Sequence, residues 1–386
     1  MQPEPIPGLP RDGGGVKRVA PLELFFDLVF VFALTQVTAL MANDEGWSGL
    51  GRGMLALAAI WWAWAAYAWL TNEVDPRRTG VRLAVCAAMV AMLLAALALP
   101  GAFGDEALLF ACSYLGVRVV HVGLFAAGSD SDDVRGAVRA LTPPAVAAPA
   151  ALIGAAFLEG WAQAAVWIAV LAFDYVTGGT RGIGGWRLSP GHFAERHGLV
   201  VIIVLGESIV SIGVGLADAS LGAGELLAAA LGVVIAATMW WVYFERAAED
   251  GEAALGRARP GLERNVLARD IYSYLHLVMA AGIVLLALGI KQSVAHVEEP
   301  FRAVDALAAC GGTALYLLGL VAFRIRTEGI RDGRLVAAAV ACLLLVAPAL
   351  VIASAWTLAA LAAAGVAVIA TQHAQRATQA RERPSR

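Results

Sequence analysis

The chain contains twelve runs of roughly 20 mostly apolar residues, at 22–42, 50–70, 81–99, 106–127, 143–158, 161–177, 196–217, 225–245, 271–290, 304–323, 334–353 and 355–372. A helix that crosses a bilayer needs about 20 such residues. A soluble fold would have to cover every run with polar surface, and the residues for that are missing. The chain is 60% hydrophobic and only 15% charged, with a mean hydropathy of +0.72, against roughly 25% charged in soluble domains. The expected architecture is all-α: a polytopic transmembrane bundle of about 12 spanning helices in a lipid bilayer. The bundle is expected over 19–372, between a disordered lead at 1–18 and a basic tail at 373–386.

The distribution of positive charge supports this alternation independently. Arg52, Lys291 and Arg302 fall in connections on one side and Arg118 lies inside a run, which leaves 24 of the 28 Lys and Arg on the other side. Positive residues mark the cytoplasmic face, so both termini are expected in the cytoplasm of a multi-pass cell-membrane protein. Lys17 and Arg18 precede a run that holds Glu23 and Asp27 and has no A-x-A site, so it reads as a first spanning helix rather than a cleaved signal. The net charge of −3 makes no case for a nucleic-acid partner. Cys86, Cys112, Cys310 and Cys342 lie in apolar runs without a C-x-x-C pair, which argues for small buried hydrophobes.

The two halves, 19–190 and 191–372, share features. Trp64-x-x-Tyr67 in the second run matches Trp240-x-x-Tyr243 in the eighth. Glu23 opens the first run and Glu195 the seventh, and Tyr114-Leu115 in the fourth matches Tyr316-Leu317 in the tenth. Six helices per half would make the halves parallel, an arrangement found in transporters.

Ionisable residues inside a membrane are expensive and are usually paired, functional or both. Glu23 and Asp27 are four apart and share a helix face, so one is protonated or both meet cations. The seventh run carries Glu195, Arg196 and His197, then Glu207 beside Gly206, Ser208 and Ser211. Glu207 lies twelve residues beyond Glu195, about 18 Å deeper at ~1.5 Å per residue, near the bilayer midplane. Gly206 is expected to admit a neighbouring helix closely. A carboxyl there can exchange protons or bind a cation, or can act as hydrogen-bonded glue between helices. Arg118 and His121 share a face of the fourth run, and Arg118 cannot lose its charge. It therefore needs a carboxylate: Glu207 or Asp27 by preference, with Asp174 also in reach. His276 enters the ninth run, where an imidazole can titrate near neutral pH. One polar cavity is expected to hold Glu23, Asp27, Glu195, Arg196 and Glu207, with His276 nearby.

No G-x-x-x-x-G-K-[ST] loop or H-E-x-x-H helix is present, and no cofactor or metal is expected. Asp130, Asp132 and Asp133 form one acidic cluster, without the second that membrane transferases of diphosphate substrates show.

Leu22-Glu-Leu-Phe-Phe-Asp-Leu-Val-Phe-Val-Phe-Ala-Leu resembles the opening of the bacterial low-temperature-requirement protein A family. The similarity continues in His192-Phe-Ala-Glu-Arg-His-Gly-Leu, Leu205-Gly-Glu-Ser-Ile-Val, Trp240-Trp-x-Tyr-Phe, Tyr272-x-Tyr-Leu-His276 and Gly312-x-Ala-Leu-Tyr-Leu-Leu-Gly319. It runs from about residue 18 to about 325. The resemblance implies a membrane protein and a cold-growth phenotype, and supplies no substrate or reaction. Three functions follow from the residues: a proton- or cation-coupled transporter or ion pathway, a membrane-embedded enzyme acting on a lipid or isoprenoid, or a structural or sensory protein. Twelve helices and a deep Glu207 favour the first, with a proton, cation or small molecule as its substrate.

Overall fold

The computed structural model describes residues 18–44, 46–128, 132–181, 183–217 and 221–382. The expected lead falls almost wholly outside them, as do Asp130 and the end of the tail. Twelve helices follow in order: α1 (Pro21–Asn43), α2 (Trp47–Glu73), α3 (Thr79–Gly101), α4 (Ala107–Gly128), α5 (Asp132–Ala155), α6 (Gly160–Thr180), α7 (Pro190–Gly215), α8 (Ala223–Arg257), α9 (Leu262–Ala295), α10 (Ala303–Glu328), α11 (Gly333–Ala349) and α12 (Ser354–Glu382). Eleven contain windows long and apolar enough to span a bilayer; α11 is the shorter one. Its regular part ends at Leu344, and Pro348 follows within one turn. The bundle is all-α, as the twelve runs predict.

Several bounds differ from the apolar runs. Helix α5 starts at Asp132, eleven residues before the run at 143, and carries Pro143, Pro144 and Pro149 inside it. Helix α7 starts at Pro190, so His192 to Glu195 are helical rather than part of a link. Helix α12 continues past the expected start of the tail to Glu382. Cys310 and Cys342 are buried as expected, but Cys86 and Cys112 are exposed on the outer surface; a bilayer covers such positions as well as a core would.

The outer surface is aliphatic. Leu24 and Leu28 on α1, Leu83, Val90 and Leu97 on α3, Ile168 and Val176 on α6, and Ile202 and Ile209 on α7 all point away from the bundle. In water such faces would be a liability; against lipid tails they cost nothing. Helices α2, α9 and α10 are the most enclosed. Between α9 and α10 the backbones touch: a Cβ on Gly282 would stand 2.6 Å from the Gly312 carbonyl oxygen, and one on Gly312 would stand 2.7 Å from that of Gly282. Small residues permit this approach, and the contact substitutes for a hydrophobic driving force that lipid does not supply.

The same neighbours meet in both halves of the chain. Helix α1 packs on α2 and α3, α3 on α4, α4 on α5, α5 on α6, and α2 on α4 and α6; α7 packs on α8 and α9, α9 on α10, α10 on α11, α11 on α12, and α8 on α12. Tyr114 on α4 donates to the Ala59 carbonyl of α2 at 3.0 Å, and Tyr316 on α10 donates to the Met239 carbonyl of α8 at 2.7 Å. Among the described residues, only the second half contains π-helical turns, Tyr243–Ala247, Arg269–Leu275 and Leu307–Gly311. Such turns widen a helix by one residue and recur at functional sites.

Candidate functional site

Helices α1 and α7 lie side by side in the same direction and in constant register. Glu23 meets His192, Asp27 meets Arg196 and Thr38 meets Glu207, each across 169 residues of sequence. The spacing explains it. At roughly 100° per residue, Glu23, Asp27, Thr35 and Thr38 fall within one arc of α1. His192, Arg196, Glu207 and Ser211 fall within one arc of α7. Glu195 lies about 60° outside that arc and about 100° from Arg196. It is exposed and, among the described residues, accepts from the Val19 amide at 3.2 Å, so the sequence-based expectation of a buried Glu195 is corrected.

At the N-terminal end of the seam His192 Nε2 is 3.1 Å from both Glu23 oxygens. A carboxylate can only accept, so one proton bridges this pair. Glu23 Oε2 also accepts from the Ala20 amide at 2.6 Å, capping α1. One turn deeper, Arg196 Nη1 donates to Asp27 Oδ2 at 2.9 Å, and Trp64 Nε1 of α2 donates to Asp27 Oδ1 at 2.9 Å. The guanidinium lies over the Trp64 ring, 5.6 Å from its centroid. All five side chains are buried. Burying two carboxylates is tolerable here because each meets a donor of opposite or switchable charge. A cavity of about 10 Å³ touches Glu23 and Arg196, the size of a single water.

Glu207 stands apart, about 16 Å further along α7 at ~1.5 Å per residue, with Leu34, Val200 and Val204 packed between. Its carboxyl is 1% exposed. It accepts from Thr38 at 2.6 Å, Thr35 at 2.8 Å and Ser211 at 3.2 Å. Among the described residues no cation is within salt-bridge distance of it. Thr35 and Thr38 were not singled out from sequence, although their spacing from Asp27 placed them on its face. The Gly206 expectation fails: a Cβ there would meet nothing within 4 Å, because that side of α7 faces outward with Ile202 and Ile209. Ser208 is buried, but its hydroxyl has no partner among the described residues and takes no part in the Glu207 shell.

His197 and His276 form a third environment. His197 Nδ1 donates to the Phe193 carbonyl at 2.8 Å, and its ring is boxed by Trp64, Phe193, Tyr272 and His276. His276 Nδ1 donates to the Ile271 carbonyl at 2.7 Å across the π turn, so its Nε2 accepts from Tyr243 at 2.8 Å. A carbonyl cannot donate, which fixes both tautomers. The same π turn presents Ser273 to α2: its carbonyl takes Trp61 Nε1 at 2.8 Å and its hydroxyl takes Trp69 Nε1 at 3.1 Å.

Arg118 does not join Glu207 or Asp27. It donates through Nη2 to Asp174 Oδ1 at 3.1 Å, with both side chains buried between α4 and α6. His121, one turn on, meets the Ala66 carbonyl through Nε2 at 3.0 Å. The expected single polar cavity is therefore resolved into separate places: the Glu23–His192 and Asp27–Arg196 pairs, the Glu207 hydroxyl shell, the His197–His276 box and the Arg118–Asp174 pair. The apolar packing between the charged layers keeps them from merging.

A family model described as bacterial low temperature requirement A protein matches residues 18–370. An uncharacterized protein of Rhizobium meliloti (strain 1021) is 30% identical over 312 residues, covering 77% of this chain and 75% of that relative.

Proposed function

The chain belongs to the bacterial low-temperature-requirement A family, and from that premise we propose that this integral membrane protein is a proton- or cation-coupled secondary transporter or ion pathway. One observation carries the reading: Glu207 is a buried carboxyl surrounded by hydroxyls rather than by a cation. An arginine would hold it permanently charged. Hydroxyls can serve both of its states. Thr38 Oγ1 is 2.9 Å from the Thr35 carbonyl, and Thr35 Oγ1 is 3.4 Å from that of Val31. Each hydroxyl can turn its hydrogen to the carboxylate, or back to its own helix while it accepts from the protonated acid. The same oxygens suit a small hard cation.

The register of α1 against α7 supports a pathway along the joint between the halves. The neighbour pattern, and the matching bonds of Tyr114 and Tyr316 to α2 and α8, support two parallel six-helix halves, 19–190 and 191–372, as in transporters built from parallel repeats. Both termini are assigned to the cytoplasm by the positive-charge bias.

The test is a pH-gradient flux screen on purified protein in liposomes holding a trapped pH dye. Wild-type protein is expected to dissipate the gradient faster than empty vesicles, and Glu207→Gln, which keeps the shape and removes titration, to fall to the empty-vesicle rate while remaining monodisperse. Unchanged flux in a folded Glu207→Gln protein would reduce the glutamate to interhelical glue and end this reading.

A further inference from the structure

The Arg118–Asp174 pair sits in the wall of a partly open cavity in the bundle. The cavity, of about 80 Å³, lies between α2, α4, α5 and α6 near the link that leads to α7, with room for several waters. Trp62, Trp69, Phe125 and Trp186 line it, with Arg118 and Asp174 in the same wall. Arg118 is 3% exposed, and its Nε and Nη1 have no acceptor among the described residues. A guanidinium carries five N–H bonds, and the one recorded bond to Asp174 leaves most of them unanswered. Buried donors in that condition are rare and call for an explanation.

The unmet groups point to the chemistry of what is missing. Arg269 also lines the cavity and pairs with Asp270 at 2.5 Å, so the wall and its direct partners hold two guanidiniums and two carboxylates. The shortfall is in acceptors for the Arg118 N–H bonds, in a space that aromatic residues share with small apolar ones. A neutral apolar ligand would leave the Arg118 N–H bonds unmet, and an inorganic anion would leave the apolar part of the wall unused.

We propose that this cavity binds a small acid anion with an apolar body, its acid group on the free N–H bonds of Arg118 and its body against Trp62, Trp69, Phe125 and Trp186. Arg–carboxylate and Arg–phosphate contacts are charge-assisted and strong for hydrogen bonds, and aromatic faces supply the area that fixes a planar or branched body. Pro144 and Ala145 of α5 complete the wall. The prolines at 143 and 144 remove two backbone donors from that helix. The site is separate from the Glu207 shell and does not depend on its role.

The experiment uses purified full-length protein in detergent and reads intrinsic tryptophan fluorescence. The probes are benzoate, benzyl alcohol as the uncharged counterpart, and inorganic phosphate as the charge without a body. Benzoate is expected to give saturable quenching at least tenfold tighter than either of the others. Arg118→Gln/Asp174→Asn removes both charges together and leaves no lone buried ion; it is expected to lose the preference for benzoate over benzyl alcohol. Should that variant fail to fold, Trp186→Leu keeps the position apolar, removes one aromatic face and is expected to weaken benzoate several-fold. Equal binding of benzoate and benzyl alcohol to wild-type protein, or no saturable benzoate signal, overturns the proposal. A short-chain phosphatidic acid that competes with benzoate where phosphatidylcholine does not would make an anionic lipid the source of the acid group. Benzoate binding without that competition would make a free organic acid the source.

Discussion

Thr38 Oγ1 lies 2.6 Å from Glu207 Oε1, at the sequence separation of 169 that also joins Asp27 to Arg196. A parallel helix pair that keeps one register over this distance cannot twist or slide without breaking several polar contacts at once. The seam therefore sets the consequences of changes along it.

At the deep end, Thr38→Val removes the shortest hydrogen bond to the Glu207 carboxyl. A hydrogen bond contributes roughly 0.5–1.5 kcal/mol to a neutral group and roughly 1.5–3 kcal/mol to a charged one, so a loss of about 0.5–3 kcal/mol is expected in detergent unfolding, with Thr38→Ser close to wild type. Equal stability of the valine and serine variants would show that Thr38 is not a partner of this carboxyl.

At the other end, Asp27 and Arg196 are a fully buried pair. Removing one partner strands a charge and typically costs about 3–5 kcal/mol, whereas replacing both with apolar residues of similar volume is often neutral. Asp27→Leu and Arg196→Met are each expected to lower the unfolding midpoint sharply, and the double variant to regain most of the loss. A double-mutant cycle with no coupling would contradict the pairing.

Two glycines make a matched contrast. Gly282→Ala would push a Cβ to 2.6 Å from the Gly312 carbonyl oxygen and from the Tyr316 nitrogen. Those are backbone atoms, so α9 and α10 must separate, at a cost of roughly 1–3 kcal/mol. Gly206→Ala meets nothing within 4 Å and is expected to be neutral or to stabilise by up to about 1 kcal/mol. Thermal unfolding of the two variants side by side distinguishes these outcomes.

The turn between α10 and α11 is expected to be acid-sensitive. Burial alone would raise the Asp332 carboxyl, but the hydrogen bond and charge of Arg334, with the charge of Arg324, outweigh it and hold the group below its ordinary 3.8. A lowered folded-state value contributes stability that is present above the unfolded value and lost as pH falls through the folded one. The Arg334 amide, which donates to Asp332 Oδ1, should keep its exchange protection relative to the intrinsic rate at neutral pH and lose it only below about pH 4. Loss of that protection already at pH 6 would rule Asp332 out as the clasp.

Sidedness can be read by chemistry. A cysteine at Gly256, an exposed position in the last turn of α8 beside the arginine-rich link to α9, is expected to resist an impermeant thiol reagent in intact cells and to react after lysis. Ready labelling from outside would reverse the orientation given by the charge bias.

The helix count and the membrane setting were legible in the apolar runs, because a bilayer imposes one length and one composition on every span. The inward arc of α1 was legible too, since Glu23 and Asp27 stand four residues apart. Partners were not. Arg118 had three buried carboxylates to choose among, and only the packing of α4 and α6 on the same two helices, α2 and α5, brings Asp174 within reach. Glu195 misled because it adjoins Arg196: neighbours in sequence differ by 100° on a helix, and the paired face belongs to His192 and Arg196. Gly206 misled in the opposite way, since a glycine beside a buried acid can face the lipid. The threonines around Glu207 were readable in principle from their position on the Asp27 face, but hydroxyls are common in such helices and the pattern becomes meaningful only once α7 lies against it.

The position of Glu207 along α7 has an electrical consequence. The carboxyl lies 17 residues from Pro190 and 8 from Gly215, so the nearer end of the helix is about a third of its length away. Moving one elementary charge across a membrane is worth roughly 2.3 kcal/mol per 100 mV. A proton arriving at Glu207 from the Gly215 end crosses about a third of that field, ~0.8 kcal/mol per 100 mV. Its occupancy would then change about fourfold for each 100 mV of membrane potential, and the potential becomes a control on this site in its own right.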